Sequence, residues 1–157
     1  MNNKITIGTT SKEALIKKLK AKDFTISTYA LQLLDKTTIS EEQQDVTLTT
    51  ITLSEWFTEY PTTMQIKERM KKEGLSFCEP EEALYFATTH KVEKGEWLTF
   101  FHEPITDSDG GPGVFRVERD VDGRRWLYAD WVAPDGRWDL AYRLVFRLRK
   151  SSASWTA

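Results

Sequence analysis

Over Tyr142–Leu148 apolar and polar positions alternate. Tyr142, Leu144, Phe146 and Leu148 fall on one face, and Arg143, Val145, Arg147 and Arg149 on the other. A pleated strand with one buried face requires that period of two. Similar short runs, separated by Gly, Asp and Pro turns, fill the chain from Trp97 to Lys150. They predict strands at 96–103, 114–119, 125–132 and 142–149. The turns between them are Asp107–Gly113, Asp122-Gly123 and Pro134-Asp135-Gly136. Consecutive strands joined by short turns favour an antiparallel meander.

The first half of the chain reads differently. Thr10-Ser11-Lys12-Glu13 has the form of a capping box, and Ala14, Leu15, Ile16 and Leu19 give an apolar stripe to about Lys22. After a break at 23–28, Ser27 or Thr28 caps a second helix through Leu31, Leu33 and Leu34. The two helices read as a hairpin. Val46–Leu53 is rich in β-branched residues and predicts a strand; its apolar phase slips at Thr49-Thr50, which suggests a bulge. Thr62-Thr63-Met64-Gln65 is another capping box, starting a helix with Ile66 and Met70 inward and Gly74 at its end. Leu75–Phe77 is an extended link, and Pro80 opens a helix with Ala83, Leu84 and Ala87 toward the core.

The expected fold is therefore α+β. It is a single domain over 1–157, with a mainly helical part at 11–88 that includes one strand near 46–53. Its helices pack on one face of an antiparallel meander sheet of four to five strands at 96–149. Residues 1–10 and 151–157 read as loose tails. The expected core includes Leu15, Leu19, Leu33, Ile66, Leu84, Leu127, Leu144, Phe146 and Leu148.

Composition narrows the class. With 39% hydrophobic and 29% charged residues in 157, the chain can bury a core without disulfide or metal staples. Its apolar runs fall far short of the ~20 residues that span a bilayer, and Met1–Ile7 has no signal-peptide core. The one cysteine, Cys78, cannot pair internally, which points to a reducing, cytoplasmic setting. The net charge of −2 hides an acidic middle and a C-terminal third rich in arginine. No phosphate-binding glycine loop, paired-cysteine metal motif, nucleophile elbow or nucleic-acid signature is present, so no cofactor is implied.

Several residue types nevertheless carry chemistry. His102 and Glu103 precede a glycine-rich turn with Asp107 and Asp109, a grouping that could act as a base or bind a metal in a hydrolytic enzyme. Asp107, Asp109 and Glu118 have some of the spacing of a calcium loop. Gly111 and Pro112 break that pattern, and no metal is assigned. Cys78, just before Pro80, reads as a buried thiol, and His90 receives no role.

Strand 125–131 is aromatic on both faces: Leu127, Ala129 and Trp131 alternate with Trp126, Tyr128 and Asp130. Either both faces are covered, or one is open for binding. Aromatics beside arginine have the composition of interface hot spots. The sequence thus favours a protein-binding module, more non-enzymatic than catalytic, whose partner meets Trp126, Tyr128, Arg143 and Arg147. Nucleic-acid binding through the same face is the alternative. An enzyme centred on His102, Asp107 and Asp109 is a third.

Overall fold

A mixed nine-stranded sheet forms the centre of the computed structural model, which describes residues 2–106 and 111–148. In chain order its strands are β1 (Asn2–Ile7), β2 (Phe24–Ile26), β3 (Gln44–Thr52), β4 (Leu75–Ser76), β5 (Trp97–Phe100), β6 (Ile105–Thr106), β7 (Pro112–Arg119), β8 (Arg125–Trp131) and β9 (Arg143–Leu148). The spatial order is β1-β3-β9-β5-β7-β8-β2, with β4 also paired to β9 and β6 to β7.

The expected four-to-five-strand meander is thus wrong. β5, β7 and β8 keep the predicted consecutive antiparallel order, from Trp97↔Glu118 in the first pairing and from Gly113↔Trp131 to Arg119↔Arg125 in the second. β9 does not return beside β8. It inserts between β3 and β5, antiparallel to the first and parallel to the second. The reason lies in its composition: Leu144, Val145 and Phe146 are all fully buried, so β9 needs cover on both faces and neighbours on both edges. A second parallel pair joins β2 to β8.

The expected loose N-terminus holds an edge strand. Asn3, Ile5 and Ile7 alternate with Asn2, Lys4 and Thr6, and Ile5 and Ile7 are buried. Gly8 then turns the chain at φ 76°, where a Cβ would overlap the Glu42 carbonyl. The expected bulge in β3 is also absent. Its pairing with β1 and β9 is unbroken, and Val46 and Leu48 enter one core while Ile51 and Leu53 pack in the other. A phase slip in the sequence therefore marks a strand buried on alternate faces.

Helix starts are set locally. α1 (Lys12–Ala21) is capped by Ser11, one residue after the Thr10 expected, whose hydroxyl accepts the Ala14 N–H at 3.1 Å. Ser27 caps α2 (Thr28–Asp35) in the same way. Thr62 and Gln65 form the reciprocal box of α3 (Thr63–Lys72), and Pro80 begins α4 (Pro80–Thr89). The helices do not share one face. α1, α2 and α4 supply Leu15, Leu19, Leu33 and Leu84 to a core with Phe115, Val117, Leu127 and Val145. α3, the single turn Leu53–Glu55 and the 132–142 segment cover part of the other face, packing Ile66, Met70 and Trp138 on Val114, Leu144 and Phe146. Leu148, expected in the core, is 43% exposed at the end of β9. The expected tail at 151–157 lies outside the described residues.

Phe146 contacts Trp56 and Phe101 at ring separations of 5.2 and 5.4 Å. Phe146→Ala should cost about 3–5 kcal/mol in urea unfolding, whereas Leu148→Ala should cost less than about 1 kcal/mol. Equal losses would contradict the central placement of β9.

Candidate binding face

The second face of the sheet is open where α3 and the 132–142 segment stop. The pairs Trp97↔Glu118, Thr99↔Arg116, Glu118↔Trp126, Arg116↔Tyr128 and Val114↔Asp130 place these side chains on that face. Trp126 and Tyr128 stack at 5.0 Å with ring planes 6° apart. The Arg116 guanidinium lies 5.1 Å from the Tyr128 ring centre and 5.5 Å from that of Trp97, between the two. Trp97 then meets Tyr142 edge-on at 4.8 Å, and Tyr142 meets the buried Trp138 at 5.0 Å. The result is a continuous row: Trp126, Tyr128, Arg116, Trp97, Tyr142, Trp138. All but Trp138 are half-buried.

The hairpin turn holds one end of this row. Asp120 accepts the backbone N–H groups of Asp122 and Arg124, both at 3.0 Å, and Gly123 supplies the positive φ. The second oxygen of Asp120 accepts from Trp126 Nε1 at 3.4 Å. Arg116 lies 3.6 Å from Glu118 and from Asp130, and Asp130 also accepts the Thr99 hydroxyl at 2.9 Å. Burial raises the Asp130 pKa, against the pull of Arg116 and Thr99. Beyond Asp130 the face dips into a recess of about 310 Å³ between Trp131, Arg137, Trp138 and Tyr142.

Of the four residues expected at the site, the structure brings together two. Trp126 and Tyr128 share the open face; Arg143 and Arg147 point from the opposite face. Because Leu144 pairs with Thr99, it is Leu144 and Phe146 that share the side of Arg116. Arg147 reaches the buried Glu82 of α4 at 2.8 Å, and Arg143 reaches Glu96 at 2.7 Å. Sequence reasoning missed Trp97 and Arg116. The expected meander does run their strands in order up to 125–131; what it lacked was the register that sets Arg116 against Tyr128 and Trp97 against Glu118.

His102 is a structural histidine. Its Nδ1 donates to the Glu103 carbonyl at 2.7 Å, since a carbonyl can only accept, and its Nε2 accepts the Phe115 N–H at 3.0 Å. Burial lowers its pKa to about 4, so the ring is neutral at pH 7 with both nitrogens committed to backbone. Glu103 is exposed. Asp107 and Asp109 lie outside the described residues. Cys78 is buried and donates to the Val145 carbonyl at 3.1 Å, and burial, then Glu82, raises its pKa. Among the described residues no group of three or more His, Cys, Asp or Glu could hold a metal ion, and no helix is long and apolar enough to cross a membrane.

Comparison with protein families, curated proteins and solved structures finds no match for this chain.

The His102 environment makes stability depend on pH. The folded pKa lies below the unfolded value of 6.5, so the contribution is fully present above pH 6.5 and is lost as pH falls toward about 4. The loss is roughly 3 kcal/mol. Glu82 acts in the opposite sense: burial, opposed by Arg147, raises its pKa to about 7, so its contribution is present below pH 4.5 and lost as pH rises. The two overlap, and a variant is needed to separate them. His102→Gln keeps one donor and one acceptor but cannot titrate. Between pH 7.5 and 4.5 in urea, the native chain should lose roughly 3 kcal/mol more stability than this variant; equal losses would show that the ring is not held neutral.

Proposed function

We propose that this protein is a non-enzymatic module that binds another protein through the face bearing Trp97, Arg116, Trp126 and Tyr128. The observation that carries this reading is the guanidinium held between Trp97 and Tyr128, with Trp126 stacked beyond them. Trp, Tyr and Arg dominate the energetics of protein interfaces. Here they are already ordered by one another, so a partner meets a rigid surface and immobilises few rotamers on binding. The nearby recess between Trp138 and Tyr142 suits a protruding partner side chain.

Two features weigh against nucleic acid on this face. Arg116 fills the space between two rings where a base would stack, and Glu118 and Asp130 offset its charge. Arg143 and Arg147, which would have added positive charge, are paired elsewhere. The enzyme reading loses support because both ring nitrogens of His102 serve the backbone. A reducing, cytoplasmic setting belongs to the same proposal, since the single Cys78 is a buried, hydrogen-bonded thiol.

The test uses the full chain as bait, compared with Trp126→Ala/Tyr128→Ala. The double variant should remain folded by circular dichroism, with a stability cost of about 1–2 kcal/mol for the lost ring stack. It should also lose a partner that the native bait retains. Retention of every partner by a folded double variant would overturn the assignment. Retarded single-stranded DNA at low salt, abolished by the same substitutions, would replace protein with nucleic acid as the partner.

A further inference from the structure

On the helix-covered side, the C-terminal ends of α1 and α4 meet β2 and β8 around a recess of about 380 Å³. Lys22, His90, Lys91 and Arg125 line it, with Asp23 as the one carboxylate among its lining residues. A larger recess of about 650 Å³ also has Thr89 and His90 in its wall, so the two adjoin at these residues. Lys18 and the side chains of Thr9 and Thr88 belong to that second hollow.

What sets this cluster apart is its convergence on one recess, since most lysines among the described residues have no carboxylate within 4 Å. Arg69, Arg116, Arg143 and Arg147 each have a carboxylate within 4 Å. Among the described residues Lys18, Lys22, Lys91 and Arg125 have none, although three of them share one recess. The partial negative charge of two helix ends offsets only part of this excess. The α1 end is also closed by its own backbone, with the Lys22 and Asp23 N–H groups bonded to carbonyls of the last turn.

We propose that this double recess binds a small phosphomonoester, with the phosphate among Lys22, His90, Lys91 and Arg125 and a hydroxylated body in the adjoining hollow. A phosphate has the charge and acceptor oxygens that a cluster of unpaired cations lacks. The two volumes lie in the range of small-molecule sites. Apart from His90, no aromatic ring at the recess is placed to stack on a base, because Phe24 and Tyr85 are buried. This separates the proposal from nucleic-acid binding, and it does not depend on the aromatic face.

His90 is placed to report the event. Its ring stacks on Phe86 at 4.7 Å. Thr89 donates its hydroxyl proton to the Tyr85 carbonyl, so it accepts from His90 Nδ1 at 2.9 Å and leaves Nε2 without a hydrogen bond among the described residues. Burial and then Lys22 lower the His90 pKa. Lys18 and Lys22 of the α1 end, Asp23, Lys91 and Arg125 of β8 are the charged groups at this wall; Lys4 and Asp45 lie on the far side of the larger hollow. An anion that neutralises Lys22 lets Nε2 take a proton.

The chain has two histidines, and His102 is the internal reference. Histidine ring signals of the intact protein are followed by NMR during titration with inorganic phosphate, ribose 5-phosphate or potassium chloride of matched ionic strength. Both phosphates should shift His90 saturably and raise its pKa by about one unit, leaving His102 in place. Ribose 5-phosphate should bind roughly threefold more tightly, because the second hollow adds hydrogen bonds. Lys22→Gln/Arg125→Gln, two exposed or half-buried positions, should weaken binding roughly tenfold. A His90 shift equal to that in potassium chloride, or unchanged affinity in the double variant, overturns the site. Equal affinity for the two phosphates overturns the hydroxylated body, and tighter binding of a short oligonucleotide than of either overturns the ligand class.

Discussion

Burial of three consecutive side chains in β9 constrains the rest of this structure. Leu144 and Phe146 face one core and Val145 the other, and all three are fully buried. A strand with one wet face would expose one set of them, and each fully buried apolar side chain is worth about 1.5–3 kcal/mol. Both faces of the sheet must therefore be covered at this point. α1, α2 and α4 cover one; α3 and the 132–142 segment cover the other. The second cover is the shorter and ends before β8. The aromatic row is what remains beyond its edge.

The same two-sided burial governs the charged groups. Arg147 lies on the helix side of β9, its side chain 22% exposed, and is paired with the fully buried Glu82 of α4. Such a pair offsets desolvation more than it adds stability, and removing either member leaves an unpaired buried charge. His102 solves the same problem differently: it stays neutral and gives one ring nitrogen to a carbonyl and the other to an N–H. Polar groups under the covers are held within the fold, although neither Glu82 oxygen nor Arg147 Nε is hydrogen-bonded among the described residues. Those past the covers' edges, Arg116 on one side and Lys22, Lys91 and Arg125 on the other, are the ones a ligand can reach.

Arg116 and Lys22 also differ in kind. Arg116 sits between aromatic rings with two carboxylates nearby, an arrangement suited to packing against a protein surface. The lysines at the α1 and α4 ends have no such compensation, which favours a small charged ligand over a broad contact. The two surfaces lie on opposite faces of the sheet.

Local chemistry in the chain was enough for some of this. Ser27, Thr62 and Pro80 start helices because capping and ring geometry act within a few residues. Asp122-Gly123 closes the β7–β8 hairpin because its turn conformation is a property of those residues. The alternation of Trp126 and Tyr128 with Leu127 determined that these two rings share a face. The run β5-β7-β8 follows from short turns, but the places of β9, β3, β1 and β2 were decided only in three dimensions, because pairing depends on which distant segments complete each other's cover and edges. β1 and β2 were too short or too polar to stand out, and each is held by its neighbour, β3 or β8. The placing of Arg143 and Arg147 on the face opposite Trp126 followed from the register of β9 on β5, which sets Leu144 beside Thr99, a relation that no spacing along the chain encodes.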